Sequence, residues 1–302
     1  MNTFQKVIKN IVTAVLVTVA ICLLALIIEL GISVSQWLHG SHHFSLPWSS
    51  SKEEVAEEGS VTAYPNVKKL SVSCSTYDLE IRTEPGIDAI QVSYESNDGN
   101  VSVGTDKETL VIRQKKSYNI FNWFKNKDKI QSPGTIYVQV PRDYSLDDLA
   151  LSLGDGDTTI GKILTRHCSL ESSDGAFTST GTHMEQAEFT TGDGTCRFED
   201  VQFDQVSLQG GAGEVSITGT ISTSGDFAVD DGDFTLLLNS PMDYYGIDID
   251  RGDGQITING ENYESVPLDS KGVHTIKLEN EDGNCNLIFQ ENEKRMAVNS
   301  NL

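Results

Sequence analysis

The sequence predicts an all-β protein: a right-handed, single-stranded parallel β-helix, or β-solenoid, with coils of about 19 residues, preceded by one N-terminal transmembrane helix. Three observations predict it. Gly156, Gly175, Gly194, Gly213 and Gly232 recur every 19 residues. Apolar residues alternate with polar ones on both sides of each glycine. An uncharged apolar run from Ile11 to Ile28 stands close to the N-terminus.

The repeat carries the fold. Asp precedes the glycine at Asp155, Asp174, Asp193 and Asp231, and Ala212 interrupts the series. Gly254 and Gly283 continue it at wider spacing, behind Asp253 and Asp282. Five positions before the glycines stand Leu151, Leu170, Phe189, Leu208, Phe227, Ile249 and Leu278. Two positions after stand Thr158, Phe177, Cys196, Val215, Phe234, Ile256 and Cys285. Spacing of two within each unit reads as strand, Asp-Gly turn, strand. The pattern returns around Tyr77, and more faintly around Asp98-Gly99, with Val92 and Tyr94 before and Val101 and Val103 after. A meander of hairpins and a stacked solenoid both fit. Position-specific likeness between units favours stacking, because stacked coils set like beside like, and the crossover rule favours a right-handed coil. With 26 glycines and only 7 prolines, tight turns between short strands are expected throughout.

Charge and cysteine usage exclude other classes. Lys and Arg number 22 against 44 Asp and Glu, a net charge of −22, which repels phosphate and excludes nucleic acid as a partner. Cys74, Cys168, Cys196 and Cys285 are far apart, without a CxxC pair, so neither a zinc site nor a disulfide scaffold is expected. All four fall on the inward parity and read as small core residues.

The apolar run is long enough to cross a bilayer. Lys6 and Lys9 precede it and Glu29 follows, so residues 1–10 are expected in the cytoplasm, 11–31 as a single-pass anchor in the cell membrane, and the rest outside the cytoplasm. A cleaved signal peptide is the alternative, but no A-x-A-like site follows the run. Residues 32–60 read as a polar linker with His39, His42 and His43. Residues 61–290 form the expected solenoid and 291–302 a tail.

The segment Val67-Lys-Lys-Leu-Ser-Val-Ser73 with Tyr77-Asp-Leu-Glu-Ile81, the strand Ile136-Tyr-Val-Gln-Val-Pro141 before Leu146, and the repeated Leu-x-x-x-Asp-Gly coils together resemble the putative-adhesin family of bacterial β-solenoid domains. The resemblance covers about residues 61–290. It implies a membrane-anchored, Gram-positive type of protein associated with the cell envelope and its stress responses. Its motifs are architectural and bring no catalytic residues with them.

Two candidate sites stand out. Asp155, Asp174, Asp193 and Asp231 would stack on one corner, as a calcium ladder or simply as turn residues whose glycines supply positive φ. Neighbouring carboxylates ~4.8 Å apart repel by only about 1 kcal/mol in water, so no cation is required. The second is a basic, aromatic excursion over 113–132, which breaks the repeat with Lys115, Lys116, Phe121, Trp123, Phe124, Lys125, Lys127 and Lys129. It is expected either to cover the open end of the solenoid or to contact anionic lipid, wall polymer or another envelope protein. Arg251-Gly252-Asp253 matches an integrin-read tripeptide, but Asp-Gly turns are frequent enough here to produce it by chance. No Ser, Cys or Asp constellation accompanies the histidines, and coils of constant length leave no room for the loops that build a catalytic cleft. No cofactor is expected. The sequence therefore points to a non-enzymatic protein that binds or senses an envelope or surface ligand. A carbohydrate-active β-helix enzyme and a calcium-stabilised structural protein are the alternatives.

Overall fold

Alternation in sequence becomes alternation in burial. In β11 (Leu164–Ser172) and β13 (His183–Thr191), Cys168, Leu170, Ala187 and Phe189 are buried while Ser169, Glu171, Glu188 and Thr190 face solvent. A computed structural model describes residues 54–55, 59–95, 101–114, 134–263 and 272–290. Each 19-residue coil holds two β stretches. A short one, such as β10 (Thr158–Gly161) or β12 (Phe177–Thr180), is followed by a long one. In β14 (Cys196–Gly210) and β15 (Val215–Val229) the two run together. Lys162, Gly181 and Asp200, again 19 apart, turn the chain between them with φ of 55°, 63° and 52°. Only one of the three is glycine, so the sequence gives little sign of this corner.

Coils stack in parallel register at the repeat spacing. Leu170 pairs with Phe189, Phe189 with Leu208 and Leu208 with Phe227 on the long stretch; Phe177 pairs with Cys196 and Cys196 with Val215 on the short one. The inward columns merge into one apolar core. Phe189, Phe198 and Phe203 meet there with ring centroids 4.8 to 5.9 Å apart. Burying each such side chain contributes roughly 1.5–3 kcal/mol, more than one coil could gather alone.

The expected right-handed, single-stranded parallel β-helix is corrected in three respects. First, the pairing is mixed. β6 (Val101–Asp106) and β7 (Thr109–Gln114) form a hairpin across a two-residue turn with Lys107 at φ 54°. β5 (Ile90–Glu95) lies antiparallel to both β2 (Thr62–Tyr64) and β8 (Thr135–Pro141), and β1 (Glu54–Val55) lies antiparallel to β6. At the far end β18 (Ile256–Ile258) carries the short antiparallel β19 (Glu261–Asn262). Period two is identical in parallel and antiparallel strands, so the faint repeat around Asp98-Gly99 could not report direction.

Second, chain order is not stacking order. β3 (Lys69–Cys74) lies between β7 and β9 (Ser145–Leu153), and β4 (Asp78–Glu84) between β8 and β10. Near the C-terminus, β20 (His274–Asn280) lies between β15 and β17 (Tyr245–Arg251). β21 (Cys285–Phe289) likewise lies between β16 (Phe234–Leu238) and β18. Third, the strands make one continuous 21-stranded sheet that folds back over the core and is nearly closed on itself, because β14 and β15 belong to both of its sides.

The N-terminal transmembrane helix and the single-pass membrane localisation are corrected as well. Among the described residues no helix is long and apolar enough to cross a membrane. The 11–31 segment on which that expectation rested lies outside the described residues. So do most of the 32–60 linker, with His39, His42 and His43, and the 291–302 tail.

Candidate functional site

The Asp-Gly corner is the most regular feature of the surface. The structure brings Asp155, Asp174, Asp193 and Asp231 onto one corner of successive coils, each exposed, with Ala212 between the last two. Among the described residues no group of three or more His, Cys, Asp or Glu side chains is arranged to hold a metal ion.

The glycines behind them are buried, and for a reason other than positive φ. Among the described residues left-handed glycines occur only at Gly59, Gly86, Gly181 and Gly260. A Cβ on Gly156 would stand 2.1 Å from the Tyr77 carbonyl oxygen, and one on Gly175 2.2 Å from that of Gly156. Gly194, Gly213, Gly232, Gly283 and Gly254 follow in turn, each seated on the carbonyl of the one before at 1.8 to 2.2 Å. The column is a contact between backbones, and any side chain would separate the coils.

A second acidic position, just after the glycine, carries the hydrogen bonds. Asp78 Oδ1 accepts from the Asp157 amide at 2.9 Å, and Asp157 Oδ1 from the Ala176 amide at 3.0 Å. Asp233 Oδ1 accepts from both the amide and the side-chain Nδ2 of Asn284, each at 3.0 Å. These carboxylates tie one coil to the next; sequence reasoning missed them in favour of the Asp before the glycine. The signal was present in the recurrence of Asp at 78, 157 and 233, each one residue beyond the column.

The four thiols are buried and free. Burial pushes Cys74, Cys168 and Cys285 up to about 12 and Cys196 to about 11, so none supplies a thiolate nucleophile at neutral pH. The excursion residues Lys115, Lys116, Phe121, Trp123, Phe124, Lys125, Lys127 and Lys129 lie outside the described residues. Their flanking strands are described. β7 ends at Gln114 and β8 begins at Thr135, both at the hairpin-bearing end of the stack. Gln114 is anchored there, its side chain accepting from the amides of Ser75 at 2.8 Å and Thr76 at 3.0 Å. At the opposite end an open cleft of about 400 Å3 lies over β17 and β20, lined by carboxylates.

The pattern of the Toastrack DUF4097 family matches residues 67–271, from the first buried valine through β18 and β19. The chain belongs to that family. Several solved structures resemble it at low identity. A putative cell adhesion protein from Clostridium sporogenes is 12% identical over 80% of this chain and 100% of its own, with a TM-score of 0.36. A putative adhesin from Bacteroides fragilis is 14% identical over 80% and 96%, at 0.41. A putative lipid binding protein from Parabacteroides distasonis is 13% identical over 75% and 95%, at 0.44. None of these three is named for a catalytic activity. No curated protein matches the sequence.

Proposed function

We propose that this Toastrack chain is a non-enzymatic binding protein of the cell envelope, a stiff sheet scaffold that presents the basic, aromatic 113–132 segment to an anionic lipid surface. The observation that carries the reading is the placement of that segment's two ends. Both leave the same end of the stack, from strands fixed in the continuous sheet, while the chain as a whole, this segment included, carries a net charge of −22. Such a body is repelled by an anionic surface. Six cations, Arg113, Lys115, Lys116, Lys125, Lys127 and Lys129, stand within 17 residues, so one end only is attracted. Near an anionic surface each Lys or Arg contributes about 1 kcal/mol, and Phe121, Trp123 and Phe124 add apolar burial at the interface.

Residues 50–302 form one compact unit, so they serve as the test fragment. The fragment should sediment with anionic vesicles and not with neutral ones. Salt should weaken the interaction, and W123A/F124A should largely abolish it. A fragment that ignores anionic vesicles at low salt, and ignores purified teichoic acid as well, overturns the reading.

A further inference from the structure

We infer that Asp155 is a site of spontaneous modification, where the link to Gly156 rearranges to isoaspartate without an enzyme, while the stack protects the other Asp-Gly corners from the same reaction. The inference is independent of the lipid-surface reading above. An Asp-Gly pair is open to this chemistry because glycine has no Cβ to keep its amide nitrogen from the neighbouring side chain. With the carboxyl group protonated, the Gly156 nitrogen bonds to Asp155 Cγ, and the carboxyl hydroxyl leaves with the amide proton as water. The succinimide so formed then takes a water back. Opening at the side-chain carbonyl restores aspartate. Opening at the main-chain carbonyl leaves the chain running through Cβ and Cγ. The water lost is the water regained, so the step needs no oxidant, cofactor or partner.

Six Asp-Gly pairs stand among the described residues, and each sets an exposed Asp before a buried glycine. They differ at the glycine amide, the nucleophile of the reaction. The Gly175, Gly194 and Gly232 amides donate to the carbonyls of Gly154, Ser173 and Gly211 in the neighbouring coil, at 3.1, 3.2 and 3.2 Å. Such a bond holds the nitrogen away from its own Asp side chain, so these pairs react only when the coil boundary opens locally. The Gly283 and Gly254 amides are held less well. They reach the Asp230 and Glu281 carbonyls at 3.3 and 3.4 Å, acceptors already used by the Asp282 and Asp253 amides. Gly156 is the exception. The Ser75 carbonyl is taken by the Asp155 amide at 2.6 Å, and the Gly156 amide donates no hydrogen bond among the described residues. At this boundary Tyr77 stands where the other neighbouring corners carry a column glycine. Rearrangement would add a methylene group to the main chain at Asp155. A Cβ on Gly156 would already crowd the Tyr77 carbonyl oxygen at 2.1 Å, so the boundary has no room for the longer chain.

The test is to incubate residues 50–302 for weeks at neutral pH and physiological temperature, then to map isoaspartate by peptide mass spectrometry with electron-transfer fragmentation, which separates the two isomers. Isoaspartate should accumulate at Asp155 at least about five-fold faster than at Asp174, Asp193 or Asp231, with Asp253 and Asp282 in between. In concentrated urea the six rates should converge, because the stack alone distinguishes the pairs. The aged wild-type fragment should lose melting temperature. Asp155→Ser, which removes the reacting carboxyl from an exposed position, should keep its own. A rate at Asp155 no higher than at Asp193 would overturn the assignment. The same ranking in urea would also overturn it, since the cause would then lie in neighbouring sequence and not in the fold. So would an equal loss of melting temperature in aged Asp155→Ser.

Discussion

The glycine column shows how much a missing Cβ matters here. Gly194 seats directly on the Gly175 carbonyl, whereas Gly161 has nothing within 4 Å of its Cβ position. Gly194→Ala should therefore destabilise the domain by about 3 kcal/mol or more, since neither backbone can yield without parting the coils. Gly161→Ala should fall within about 0.5 kcal/mol of wild type in urea melts. Equal effects would mean that the column does not depend on close approach. The thiols give a second prediction at this scale. Burial raises each native pKa above the ordinary value near 9, so the folded protein keeps protons that the unfolded chain sheds. The stability from these protonated thiols is fully present below pH 9 and is lost as pH rises toward 12, by up to about 1.4 kcal/mol per pH unit for each thiol. Cys168→Val removes one contribution, so its melting temperature should fall less steeply than that of wild type between pH 9 and 11. Parallel curves would argue against burial of the Cys168 thiol.

At the scale of the coil, inside and outside positions alternate along each strand, and their tolerance should differ as sharply. Leu208 is fully buried between Phe189 and Phe227, its partners in the two adjacent coils. Leu208→Asp places a carboxylate there without a partner and should unfold the domain, losing the cooperative melt by circular dichroism. Ala212 faces solvent at the corner between Asp193 and Asp231, so Ala212→Asp adds only repulsion of about 1 kcal/mol, which salt should reduce. An equally damaging Ala212→Asp would show that the corner is not a solvated edge. The coil also shows which element the sequence could not divide. Lys162, Gly181 and Asp200 split each repeat into a short and a long stretch through a left-handed residue, and neither Lys nor Asp announces that conformation.

Across the whole molecule, stacking order decides which parts depend on which. Among the described strands, β17 and β18 pair with the stack through β20 and β21, which follow them in the chain, and a further hydrogen bond runs from the Tyr245 hydroxyl to the Ile221 carbonyl on β15. Deleting residues 272–302 should therefore release 245–258 as well, and hydrogen exchange should show both stretches without protection while β11 and β13 keep theirs. Retained protection across 245–258 would mean that those strands pack directly on β15 and β16. Among the described strands β17 pairs on one side only, and its exposed Asp248 and Asp250 are charges that discourage another strand from adding there.

The sequence by itself determined the period, the inward set and the buried thiols, because alternation and a 19-residue recurrence are local properties that packing must respect. It placed Leu170, Phe189, Leu208 and Phe227 in one column and the Asp-Gly pairs on one corner. Tertiary structure alone decided strand direction, because the antiparallel hairpins of β5, β6 and β7 alternate just as the parallel coils do. It alone decided stacking order, because β21 pairs with β16 through contacts about fifty residues apart in the chain, which no local pattern encodes. It also decided why the glycines are glycine. Gly194 could have signalled a left-handed turn or a close approach, and only the carbonyl of the neighbouring coil, 2.2 Å from where its Cβ would stand, selects the second.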